Sequence, residues 1–143
     1  MAEIIADAAV KDGAEVRLKE VAGASNDNLV WADGIIIGSP VYFGLPSGEI
    51  KKFIDDSISV RDNWKTKWAC FISSGHRAGG RETAIMALLG AFIVHGIVVC
   101  GDPMSSGGHY GAAASGSPDD RCNQECIGLA RKVVMLATRL QCR

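Results

Sequence analysis

The 143-residue sequence predicts a single α/β domain built on a doubly wound parallel sheet. Three observations carry this prediction. Apolar runs that read as strands alternate with helical stretches along the chain. The run Gly34-Ile35-Ile36-Ile37 lacks polar alternation, as a strand covered on both faces should. That run passes through a Gly/Pro-rich turn, GSPVYFG (Gly38 to Gly44), and then into a helix. In open α/β sheets, ligands bind in loops at such carboxyl ends of strands.

The elements follow in order. Met1 to Val10 carries a helical stripe of Ile4, Ile5, Ala8 and Ala9, with Gly13 as a natural C-terminal cap. Ala14 to Val21 alternates Val16, Leu18 and Val21 with charged residues, which predicts a strand near a sheet edge. Ser25 or Asp27 caps a short turn through Trp31. Gly34 to Gly38 is the next strand, and Gly48 to Ser57 a helix with Ile50, Phe53 and Ile54 inward. Trp68 to Ser73 is an apolar strand ending in the glycine-rich turn SSGHRAGGRE. Glu82 to His95 is almost uniformly apolar, which predicts a helix buried on several sides. Ile97 to Cys100 reads as a strand and Asp102 to Pro118 as a long Gly/Ser/Ala-rich loop. Asp119 and Asp120 stand at the positive end of a final helix whose last turn holds Arg139.

Composition excludes several classes. A 48% hydrophobic content makes the chain globular rather than disordered. A net charge of −1 gives no electrostatic reason to expect nucleic acid or an anionic membrane as partner. No apolar run is long enough to span a bilayer, and no signal peptide is evident. Cys70 and Cys100 lie in apolar runs; Cys122 and Cys126 are four apart on a helix without companion ligands at zinc spacing. A cytoplasmic, metal-free protein is the expectation.

Two loops carry the chemistry. Ser39 to Gly48 places Tyr42 and Phe43 between a proline and a glycine, which suits stacking on a flat ring. Ser73 to Gly80 leads into a helix N-terminus, where backbone N–H groups favour electron-rich atoms. Scaffolding turns use the same residues, and plain core is the alternative for Tyr42 and Phe43, with the ring-stacking role favoured.

Several stretches together resemble a known family. MAEIIADAA, ADGIIIGSPVYFGLPSGEIKKFID, FISSGHRAGGRETAI, HGIVV and HYGAAASGSPDD are similar to the flavodoxin-like NAD(P)H:quinone oxidoreductases of the tryptophan-repressor-binding-protein (WrbA) type, and to multimeric flavodoxins more broadly. The resemblance covers nearly the whole chain. It implies a flavodoxin-like three-layer α/β/α domain spanning residues 1–143, an FMN cofactor, and NAD(P)H and quinone as substrates in a two-electron ping-pong cycle. It also implies a homodimer or homotetramer. Val41, Tyr42, Phe43 and Gly44 would line the flavin ring. Ser74, Gly75, His76, Arg77, Ala78, Gly79 and Gly80 would wrap its other edge, and His95 would reach it from a neighbouring subunit. No catalytic side chain is implied. His109 and Tyr110 would lie near the site mouth.

The sequence departs from the family in three places. His76, Arg77 and Ala78 stand where Thr and Gly are usual, and would narrow the site or add charge for a nicotinamide phosphate. Ser59 aligns with the family's flavin-covering Trp, with Trp64 nearby. The family's first strand and its Ser/Thr/Gly phosphate loop have no counterpart before Met1. That central strand would bury about five apolar side chains, worth on the order of 10 kcal/mol. Three outcomes stay open: the second strand pairs directly with the third, a partner chain supplies the pairing, or the natural protein is longer. The missing loop predicts weak or absent FMN binding by this chain as given. The alternative is a non-catalytic flavodoxin-like module that acts through oligomerisation or small-molecule binding.

Overall fold

The sheet is organised around the isoleucine run. In a computed structural model that describes residues 1–64, 68–75, 79–107 and 110–141, β1 spans Gly34–Tyr42. A short β2, Leu45–Pro46, folds back antiparallel on its end, with Val41 opposite Pro46 and Tyr42 opposite Leu45. β3, Trp68–Gly75, lies parallel to β1 from Gly34↔Trp68 to Pro40↔Ser74. The far edge of β3 carries two short parallel strands. β4, Val98–Val99, pairs with Trp68 and Ala69. β5, Ala112–Ser115, pairs with Ile72 to Gly75.

Helices cover both faces: α1 (Ala2–Lys11), α2 (Asn26–Trp31), α3 (Gly48–Asp56), α4 (Arg81–Val94) and α5 (Asp120–Gln141). Alternation along the strands divides the core. Ile36, Ala112 and Ala114 join Ile5, Ala8, Ala9, Cys126, Leu129 and Val133 of α1 and α5. Ile35, Ile37 and Ala113 face Leu29, Ile50, Ile54, Ile85, Leu88 and Phe92 of α2, α3 and α4. The first layer is built from small residues, so α5 approaches the sheet closely. A Cβ on Gly34 would meet Val133 Cγ1 at 2.6 Å.

The expected caps are present. Gly13 takes φ +91 after α1. Ser25 is the N-cap of α2, and its N–H donates to Asn28 Oδ1 at 3.0 Å. Asp119 Oδ1 accepts from Cys122 N–H at 2.8 Å at the start of α5.

Three expectations are corrected. Residues 14–20 form no strand. Their alternation marks one apolar side, and Ala14 and Val16 spend it on the α1–α5 cluster, while Arg17 stacks over Trp31 at 3.8 Å. Among the described residues, β1 therefore has no strand neighbour along Gly34 to Pro40 on the side away from β3, and direct pairing of residues 14–21 with it does not occur. The loop over 102–118 contains β5. Finally, α4 buries one side only; Met86, Ile93 and Val94 stand in solvent.

Candidate functional site

The end of β1 turns into the site through two serines. Ser39 is buried, and its hydroxyl accepts from Ser47 N–H at 2.9 Å while donating to the Pro40 carbonyl at 2.8 Å. Ser47 in turn caps α3, its Oγ accepting from Ile50 N–H at 3.4 Å. Between them, β1 and β2 form a hairpin whose two turn residues are Phe43 and Gly44.

Both turn residues have positive φ, 51° at Phe43 and 78° at Gly44, the signature of a type I′ turn. Asn-Gly is the usual pair there. A phenylalanine in that conformation costs on the order of 1–2 kcal/mol. It is also fully exposed, at 105%, beside Tyr42 at 59%. Strain and full exposure of a large apolar ring at one position make Phe43 a candidate for a functional constraint.

The second glycine loop locks onto this hairpin. Gly80, the N-cap of α4, has φ +88. A Cβ there would meet Gly44 Cα at 3.0 Å and Val41 Cγ1 at 3.3 Å. Thr83, in the first turn of α4, fastens the two loops. Its hydroxyl lies 2.7 Å from the Gly44 carbonyl and 3.0 Å from that of Gly80. Gly80 offers no side chain to cap α4, so the first-turn N–H groups and the positive end of the helix face the hairpin side of the site.

The structure thus brings together Val41, Tyr42, Phe43, Gly44, Gly79 and Gly80. Ser74 and Gly75 end β3 in the same layer, in register with Pro40 and Ser115 respectively. His76, Arg77, Ala78 and His109 lie outside the described residues. His95 does not join the group within one chain. It caps the opposite end of α4, which at 14 residues is about 21 Å long. There its Nδ1 sits 2.7 Å from the Ala91 carbonyl, and its ring is 6.4 Å from Phe92. Ser59 is tied elsewhere too, accepting from Asn26 Nδ2 at 2.9 Å.

Thr83 is the site residue that sequence reasoning missed. Its only signal was a β-branched hydroxyl residue three positions after a helix-starting glycine. On the other flank of α4, an open pocket of about 280 Å³ lies between its first turn and the start of α5, with Arg81, Tyr110, Gly111, Asp119 and Glu125 in its wall. Glu125 is buried there and pairs with Arg121 Nε at 3.1 Å. Cys122 also lines it, but burial pushes its thiol upward, and burial pushes Cys126 up to about 12. Burial thus disfavours the reactive thiolate at both. Among the described residues, no three His, Cys, Asp or Glu side chains gather as a metal site, and no helix is long and apolar enough to cross a membrane.

Comparison with known proteins places this geometry. The sequence signature of the NADPH-dependent FMN reductase family matches residues 1–110. A flavodoxin of Aquifex aeolicus is 39% identical over 143 residues, covering 93% of this chain and 76% of that protein. An NAD(P)H dehydrogenase (quinone) of Archaeoglobus fulgidus is 28% identical over 98% of this chain and 91% of its own length. Among solved structures, an archaeal flavodoxin superposes with a TM-score of 0.77 at 20% identity, over 95% of this chain and 87% of that one. A WrbA-like flavodoxin of Agrobacterium tumefaciens gives 0.73 at 22%, over 96% and 90%. The fold is flavodoxin-like, as the sequence resemblance implied.

Proposed function

The chain belongs to the NADPH-dependent FMN reductase family, and we propose that it is an FMN-dependent oxidoreductase that carries two electrons from NAD(P)H to a quinone in a ping-pong cycle. The observation that carries this reading is the hairpin and its partner loop. A strained, fully exposed Phe43 stands on a turn locked to a second glycine loop by Thr83. The residues fit a flat ring with an electron-rich carbonyl edge. Glycine at 44 and 80 lets the two loops close on each other, and the apolar rings of Tyr42 and Phe43 stand ready to be covered.

FMN, when bound, supplies the redox chemistry. The chain binds and orients. Tyr42 and Phe43 would stack on the ring, with Val41 and Gly44 lining it. By the family resemblance, backbone N–H groups from Ser74 to Gly80 would meet its polar edge, and His76 and Arg77 would add charge for a nicotinamide phosphate. His95 enters this reading only from a second copy of the chain. No side chain acts as nucleophile or general base.

The test is steady-state turnover of the FMN-saturated protein with NADPH and a short-chain benzoquinone. Parallel double-reciprocal lines are expected. Turnover with free FMN as acceptor but not with quinone would overturn the quinone assignment. NADPH left unoxidised by flavin-loaded protein would overturn the enzyme reading in favour of a non-catalytic module.

A further inference from the structure

The pocket of about 280 Å³ between α4 and α5 stands at the same end of the sheet as the two loops. Ala113 in its wall is in register with Ser73, and Ser73 with Ser39 at the root of the hairpin. Two strand spacings separate Ala113 from Ser39, about 10 Å. Arg81, also in the wall, directly follows Gly80, which presses on the hairpin. The pocket therefore adjoins the two loops, with the first turn of α4 between. Its lining is mixed. Ile85 and Ala113 are apolar, and Tyr110 presents a ring that is 51% exposed. Two arginines, Arg81 and Arg121, face three carboxylates, Glu82, Asp119 and Glu125, so the lining carries a net charge of −1. Arg121 Nε pairs with buried Glu125 at 3.1 Å, and Arg81 donates to the Ala113 carbonyl at 3.5 Å. Asp119 caps α5 through Oδ1. A carboxylate accepts about four hydrogen bonds in all, so Asp119 and Glu125 keep acceptor capacity for a ligand.

We propose that this pocket takes the adenosine half of the nicotinamide dinucleotide and selects an unmodified ribose 2′-hydroxyl, so that NADH binds more tightly than NADPH. This rests on the dinucleotide being the reductant, as proposed above. With nicotinamide over the flavin ring, the linker between the two halves crosses the first turn of α4. Gly80 puts no side chain there, and the positive end of the helix favours the pyrophosphate. Adenine then stacks on Tyr110, beside Ile85 and Ala113. The ribose hydroxyls donate to Glu125 and Asp119, as a ribose 2′-hydroxyl does to an acidic residue in other dinucleotide sites. A 2′-phosphate instead brings about two more negative charges to a lining that is already negative and whose arginines are already hydrogen-bonded. NADPH still binds, because the rest of the molecule is the same, but at higher concentration. The matching family is named for NADPH, so this preference belongs to the chain's own pocket.

Isothermal titration of the chain with ADP-ribose and with its 2′-phosphorylated form tests this without turnover. ADP-ribose should bind at least about tenfold tighter, with or without saturating FMN. Tyr110→Ala should weaken both ligands about tenfold. Glu125→Gln breaks the Arg121 pair and should narrow the difference between the ligands to within about threefold. Glu82→Gln should move it the same way. Tyr110 and Glu82 are exposed, so those two variants should keep the wild-type circular dichroism. In flavin-loaded protein NADH and NADPH should share one kcat and differ about tenfold in KM, the mark of a contact made equally in ground and transition states. No binding of ADP-ribose at millimolar concentration would overturn the proposal. So would equal affinity for the two ligands, or binding and preference untouched by all three variants. A chain that binds ADP-ribose in this way yet leaves quinone unreduced would uphold the pocket and sink the quinone reading alone.

Discussion

At the β1–β2 hairpin, Tyr42 and Phe43 stand in solvent on a backbone held left-handed. Along α4, Met86, Ile93 and Val94 stand in solvent on ordinary helix. The first exposure is a single rigid point, fixed by the Ser39–Ser47 and Thr83–Gly44 hydrogen bonds and bought with strain. The second is a broad, unstrained stripe. A point of that kind suits one small planar ligand, whereas a stripe suits another protein surface. The two regions share Thr83, so one helix is tied to the hairpin at its start and carries an uncovered apolar stripe along its length.

The largest effect should come from Gly80→Ala. The new Cβ meets Gly44 backbone at 3.0 Å on a residue whose φ is +88. About 2–4 kcal/mol of folding stability should be lost in urea melts, and flavin affinity with it. A melt within 0.5 kcal/mol of wild type, on the ordinary scale of surface changes, would show that the two loops are not pressed together. Thr83→Val comes next. It removes the tie between the loops and should cost about 1 kcal/mol of stability, with a larger loss in flavin binding than in melting. Equal losses in both would reduce Thr83 to scaffolding. The smallest effect belongs to the other region: Ile93→Ser should change monomer stability by no more than about 0.5 kcal/mol and leave flavin affinity untouched. A flavin defect there would erase the distinction between the hairpin point and the α4 stripe.

Much of this contrast was beyond the reach of sequence periodicity. Gly34 to Gly38, α3 and α5 were legible because their patterns match their covered faces. In α4 the all-apolar run reads as burial on several sides; only the sheet below it shows which side faces water. Ala14 to Val21 has a strand's alternation, but alternation names a face and not a partner. Ala112 to Ser115 was hidden because Ala-Ala-Ala-Ser has little strand propensity and becomes one by register with β3 under α5. At the site, Tyr42 and Phe43 were recognisable as candidates to stack on a ring. Their left-handed turn was not, since Phe-Gly is an unlikely type I′ pair. The tie made by Thr83 was invisible for a simpler reason: it joins residues 39 positions apart.

The central claim is that the strained hairpin tip exists to hold the flavin ring. Phe43→Gly tests it most directly, because the substitution removes the ring and relieves the backbone together. The account predicts opposite signs from one protein. Folding stability should rise or hold in the melt, while FMN affinity, followed by quenching of flavin fluorescence, should fall by about 1–3 kcal/mol. A variant that binds FMN as tightly as wild type, with its fold intact, would contradict the account.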